Sequence, residues 1–256
     1  MKKPTITIIG SGNVAHTLAF ALFEKGVVIK NIAARNLNET NKLAKKTNAI
    51  ASGIEQADLT SDAIILCVSD DAITQIAKLL KKYEGVMIHT SGSVSVEVLP
   101  QKNAAVLYPF ISMQKTRKID LAHADIFIEA RNEKSKKVVA TIAKMLSKRI
   151  KSITSEQRLS LHLAAVFAQN FVNHQMHIAQ LLLEKNGMKF QLLERLIANY
   201  FSQLETETPD KLQTGPAVRS DNNVIKRHLD ILQHEPELKS IYKLLTKNIQ
   251  KMHKHD

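Results

Sequence analysis

From Thr5 to about Thr154, short β-type runs alternate with amphipathic helical patterns, and this alternation constrains the fold more tightly than any other feature of the sequence. Strands joined through helices pair in parallel, because the helical crossover returns the chain to the same end of the sheet. The runs 5–9, 27–33, 63–68, 86–89, 104–108, 125–129 and 149–153 read as strands. Between most of them apolar residues recur every three or four positions, over 14–25, 38–46, 71–82 and 134–147, which predicts helices. After Thr154 only helical periodicity continues, interrupted at "KNGM", "ETETPD", "QTGPAV" and "HEPEL". The expected architecture is therefore α/β with a mostly parallel sheet over 1–154, followed by an all-α domain over 155–256. Thr154 or Ser155 caps the first helix of that second domain, whose pattern runs about thirty residues to Gly187.

The first strand ends in "IIGSGNVA", where Gly10, Gly12 and Ala15 form G-x-G-x-x-A at the entrance to the first helix. Gly10 turns the chain out of the strand, Gly12 lets the backbone approach a pyrophosphate, and Ala15 allows the helix to pack closely on the sheet. The free N–H groups of the helix start then face an anion. A glycine turn without ligand has the same spacing, but a β-branched strand before it and a helix after it favour a Rossmann-type dinucleotide site. Ser11, Asn13 and Val14 complete its loop.

The second strand ends in "NIAARNLNET", with Arg35 and Asn36 at its tip and the first carboxylate, Glu39, already inside the next helix. An acidic residue at the tip would bind the ribose hydroxyls of NAD. A guanidinium beside an amide suits a 2′-phosphate instead, so NADP is the expected cofactor; the other reading of Arg35 is an ordinary exposed strand-end arginine. Val68 and Ser69 in "CVSDDAI", and Thr90 and Ser91 in "IHTSGSVS", lie at the mouths of later strands and are expected to touch the cofactor. There Asp70 or Asp71 caps a helix and Ser91-Gly92 forms a turn.

A net charge of +12 and a pI near 9.7 raise the question of nucleic acid. Aromatic residues make up 5%, Trp is absent and the lysines are scattered along helical segments, so no basic block with stacking side chains is present and nucleic acid is not expected. The positive field favours anionic small molecules. The one cysteine, Cys67, lies in "AIILCV" and reads as a buried strand residue. No h-region with a small-residue cleavage site follows Met1, and the most apolar helix is crossed by His162, Gln169, Asn170, Asn173, His174 and His177; neither export nor a membrane span is expected, and the cytoplasm is the expected location.

Those six residues share one sector of the long helix at 100° per residue, either facing a cleft or satisfying one another in a dimer core. No third ligand has metal-binding spacing near His174 and His177, so no metal is expected. In "TGPAVRSDNNVIKRH", Asp221 can cap a helix and Arg219 can pair internally; alternatively Thr214, Arg219 and Asp221 fold back to complete a pocket, with Arg219 on a substrate carboxylate.

On "IIGSGNVAHTLA", "LCVSDDAI", "HTSGS", "HLAAVFAQNFVNH" and "LQTGPAVRSDNNVIKRHL", the whole chain resembles a family that joins a domain like the deazaflavin-dependent NADP oxidoreductases to a helical domain of unknown function. Its architecture is similar to pyrroline-carboxylate reductases and β-hydroxyacid dehydrogenases. The resemblance implies an NADP(H)-dependent reductase of a small carbonyl or imine compound, and a homodimer through the helical domains is the expected assembly. The dehydrogenases carry a lysine four residues before an asparagine; here Asn170 matches the asparagine while Val166 stands at the lysine position. Asn170 and His162 are the expected catalytic residues, His162 as acid, with Asn173, Thr214, Arg219 and Asp221 binding substrate. The missing lysine leaves a second possibility, an NADP-binding sensor that does not turn over.

Overall fold

The computed structural model describes residues 3–253, which fall into two compact units divided between Asn173 and His174. The first unit is built on an eight-stranded sheet, where the sequence patterns predicted seven strands. Its elements are β1 (Ile6–Ile9), α1 (Asn13–Glu24), β2 (Ile29–Ala33), α2 (Leu37–Lys46), β3 (Ile50–Ser52), β4 (Ala63–Leu66), α3 (Asp70–Leu79), β5 (Val86–His89), β6 (Ala104–Phe110), β7 (Asp125–Ala130), α4 (Glu133–Leu146) and β8 (Arg149–Ser152). The unpredicted strand is β3, whose three residues are too few to show alternation and which pairs only with β2.

Strand order is β3-β2-β1-β4-β5-β6-β7-β8, parallel except for the β6–β7 pair. β1 lies between β2 and β4, so the chain leaves it in one direction and returns on its other side. A crevice opens at this reversal beyond the carboxyl ends of the strands, and ligands of such sheets bind there. Both faces are covered. Ile6 and Ile8 pack with Leu18, Leu22, Leu43, Val139 and Ile142 on one face, while Ile9, Ile64 and Leu66 pack with Ile73, Ala77 and Leu99 on the other. Buried on both sides, β1 and β4 read as continuous apolar runs, as central parallel strands do.

Beyond the sheet come α5 (Ser155–Ala165), a π-helical turn at Val166–Phe171, and α6 (Val172–Glu184). Thr154 caps α5 in a reciprocal capping box with Gln157. One turn in, the buried Arg158 forms an ion pair with Glu129 of β7 at 2.9 Å and donates to the Ser91 carbonyl at 2.8 Å. It thereby ties α5 to two strand ends.

The second unit contains most of α6 together with α7 (Glu194–Gln203), α8 (Asn222–Ile231) and α9 (Pro236–Met252). Within it the Asp221 carboxylate caps α8 by accepting from the Val224 amide at 3.2 Å, and His228 shares a hydrogen bond of 2.8 Å with the Tyr242 hydroxyl. Only Ala217 and Leu232 are buried apolar residues among its described residues. No helix among the described residues is long and apolar enough to cross a membrane.

Candidate active site

The loop after β1 holds its two glycines for different reasons. Gly10 has φ +128°, and a β-carbon there would lie 2.2 Å from the Cys67 carbonyl oxygen, so the fold itself requires glycine. Gly12 has φ −86° and would present its β-carbon to open space, with nothing within 4 Å. It is the N-cap of α1, with no side-chain cap and no acidic residue in the first turn. The amides at this helix start therefore face an uncrowded space suited to a pyrophosphate, and Ala15 is fully buried against the sheet. The residues present fit a dinucleotide.

At the tip of β2, Arg35 is exposed and its guanidinium makes no ion pair or hydrogen bond among the described residues. Asn36 is the N-cap of α2; its side-chain oxygen accepts from the Glu39 amide at 3.2 Å, which leaves the amide nitrogen for a ligand. Glu39 pairs with Lys42 at 2.9 Å and with Lys115 at 3.2 Å, and these hydrogen bonds bring its carboxyl down to about 2.

At β4, Ser69 rather than Asp70 or Asp71 occupies the N-cap of α3; the two aspartates lie in its first turn, where their charge favours the helix start. Asp70 accepts a short hydrogen bond from the Ser93 hydroxyl. Thr90 donates to the Leu66 carbonyl at 3.2 Å. The buried Ser91 oxygen accepts from the Ser93 and Val94 amides at 3.1 and 3.0 Å, so it stabilises the turn.

A cavity of about 360 Å³ brings Asn13 and Val14 of the glycine loop together with Thr90, His162, Val166 and Asn170. It also exposes a residue the sequence patterns did not single out: Tyr108, on β6, shares a hydrogen bond of 3.1 Å with His162 Nδ1. The two rings meet edge-on, with centroids 6.2 Å apart. Gly92 makes room for them, since a β-carbon there would lie 2.7 Å from His162 Nδ1 and 2.8 Å from the Tyr108 hydroxyl oxygen. Burial pushes the Tyr108 phenol up, while the Arg158 charge opposes this. Thus the phenol holds its proton near neutral pH.

His89, the last residue of β5, is fully buried, with Nδ1 accepting from the Ser91 amide at 3.2 Å. Burial, reinforced by the Arg158 charge, brings its imidazole down to about 4. It stays neutral, with its proton on Nε2.

The remaining candidates lie elsewhere. Ser11, Val68 and Ser69 do not line the cavity, nor does Asn173, an exposed residue at the end of the first unit. Thr214 and Arg219 are exposed in the second unit, and Asp221 is engaged there as a helix cap. Among the described residues no three His, Cys, Asp or Glu side chains are grouped to hold a metal.

A Rossmann-type crevice with an open glycine loop and a strand-end arginine defines a dinucleotide-binding protein. Residues 5–90 match the family described as "NADP oxidoreductase coenzyme F420-dependent", and residues 124–249 match the domain of unknown function DUF2520. The chain is 33% identical to a Bacteroides fragilis protein, BF3122, that carries the name "putative NADP oxidoreductase"; 97% of this chain and 98% of that one align, with a TM-score of 0.91. The chain belongs to this family of NADP oxidoreductases with a DUF2520 C-terminal domain, whose cofactor is NADP. The fold is shared by an imine reductase from Myxococcus stipitatus solved with NADP+, at 14% identity over 98% of this chain and 94% of that one, TM-score 0.71. It is also shared by a pyrroline-5-carboxylate reductase from Coxiella burnetii, at 16% identity over 99% and 98%, TM-score 0.56. No curated protein matches the chain.

Proposed function

We propose that this protein is a cytoplasmic, homodimeric NADPH-dependent reductase of a small carbonyl or imine compound. The observation that carries this reading is the cavity where the cofactor loop meets a hydrogen-bonded pair, Tyr108 and His162. Gly10 to Ala15 would hold the dinucleotide's pyrophosphate, Arg35 and the Asn36 amide would hold its 2′-phosphate, and Val68, Ser69, Thr90 and Ser91 would contact it along the strand ends. When bound, its reduced nicotinamide supplies hydride.

The chain supplies the proton. With Nδ1 of His162 protonated, the Tyr108 oxygen accepts that hydrogen bond and turns its own proton toward the cavity. Tyr108 then protonates the oxygen or nitrogen of the reduced group, and His162 passes its Nδ1 proton to the phenolate while its Nε2 takes one from solvent, which leaves a neutral imidazole. This pair takes the part for which Val166 has no functional group, and Asn170 beside it orients the substrate by hydrogen bonding. A titratable pair facing the cavity supports turnover over sensing alone.

Gly12→Val tests the cofactor site. The new side chain enters open space, so thermal stability should hold while calorimetry shows NADPH affinity lost; unchanged affinity would refute the assignment.

A further inference from the structure

An antiparallel strand pair needs only a short turn, yet β6 and β7 are joined by residues 111–124. Lys115 anchors this segment at two points. Its amide donates to the Asn13 side-chain oxygen at 3.1 Å, at the first residue of α1, and its ammonium donates to Glu39 at 3.2 Å, in the first turn of α2. One residue therefore spans from the glycine loop to the helix that follows β2, and in this fold the adenosine ribose lies between those two places. Arg35 and Asn36 stand just before that helix.

Glu39 is an unfavourable neighbour for a phosphate unless its charge is neutralised. Lys42, one turn further along the same helix, already pairs with it at 2.9 Å. Lys115 is thus a second cation on a carboxylate that has its partner, and half its side-chain surface remains in solvent. Such a contact is weak and readily exchanged for a phosphate oxygen, which carries more charge.

We infer that Lys115 is a specificity-determining residue: it turns from Glu39 to the 2′-phosphate when NADP binds and stays on Glu39 when the ribose bears only a hydroxyl. This rests on the NADP reading above. The segment 111–124 then acts as the third side of a phosphate site otherwise formed by Arg35 and Asn36.

Calorimetric titration of NADP+ and of NAD+ into the wild type, Lys115→Ala, Glu39→Gln and the double variant tests it. Lys115→Ala should weaken NADP+ about tenfold, the scale of one charge-assisted hydrogen bond, while NAD+ changes less than about twofold. Glu39→Gln should tighten NADP+ several-fold, both by releasing Lys115 and by removing a carboxylate near the phosphate, and the gain should be smaller in the double variant, where only the second effect remains. Equal losses of both dinucleotides, or unaltered NADP+ affinity in Lys115→Ala, overturn the inference while leaving the cofactor reading intact. A wild type that fails to bind NADP+ overturns both.

Discussion

A β-carbon at Gly10 would run into the Cys67 carbonyl, whereas one at Gly12 would have no heavy atom within 4 Å, so only the second glycine is explained by a ligand. The same test of space explains Gly92, whose missing β-carbon allows Tyr108 and His162 to meet. If Tyr108 delivers the proton, Tyr108→Phe should slow reduction of any keto acid or cyclic imine the wild type accepts by about a hundredfold or more, with NADPH affinity changed less than about twofold. The kcat pH profile should lose its basic limb as well; a variant with normal kcat would remove Tyr108 from the chemistry. His89 makes a prediction about pH. Its native value of about 4 lies below the ordinary 6.5, so below pH 6.5 the unfolded chain binds a proton that the folded one does not. Stability is therefore complete above pH 6.5 and falls as pH drops toward 4, with His89 contributing up to about 1.4 kcal/mol per pH unit. His16 is also lowered, chiefly by burial, and contributes in the same direction. Urea denaturation at stepped pH should show a shallower slope for His89→Gln than for the wild type.

At the scale of elements, α5 is held to the sheet by one buried guanidinium. Arg158→Met would leave Glu129 without its counter-ion and the Ser91 carbonyl without its donor, a loss expected to cost about 3–5 kcal/mol in chemical denaturation. Replacing Glu129 with Leu in the same chain should recover part of it, because the stranded charge is then gone. Nothing in "SEQRLSLH" marks Arg158 as buried, since its partner lies 29 residues back. Elements whose information is local were legible: the parallel strands other than β3, α1 to α4 by their periodicity, the start of α5 by its capping box. The cofactor loop was legible because glycine spacing is a local requirement. The Tyr108–His162 pair was not, because it joins residues 54 apart and no motif marks Tyr108. Phase along the long helix was also beyond reach. A wheel at 100° per residue assumes α geometry throughout, and the wider turn at Val166–Phe171, which carries Asn170, shifts every position after it. Lys115 was hidden among the scattered lysines of a basic chain.

At the scale of the whole molecule, the helical unit leaves Leu192, Leu196, Ile231, Leu244 and Met252 each about two-thirds or more exposed. In the homodimer proposed above, a second copy would cover these side chains. Light scattering after gel filtration should give twice the 28.6 kDa chain mass, and Leu192→Asp with Leu196→Asp should shift it toward one; a monomeric wild type would discard the dimer. The molecule also carries its own stopwatch. Cys67, the sole thiol, has its amide on the Ile9 carbonyl at 2.7 Å and its carbonyl against Gly10, and burial pushes the thiol up to about 12. Because alkylating reagents attack the thiolate, an intact molecule resists them until the seam between β1 and β4 parts. The rate of labelling then clocks that parting, and a dinucleotide gripping the same seam would slow it, making occupancy visible with no substrate in hand.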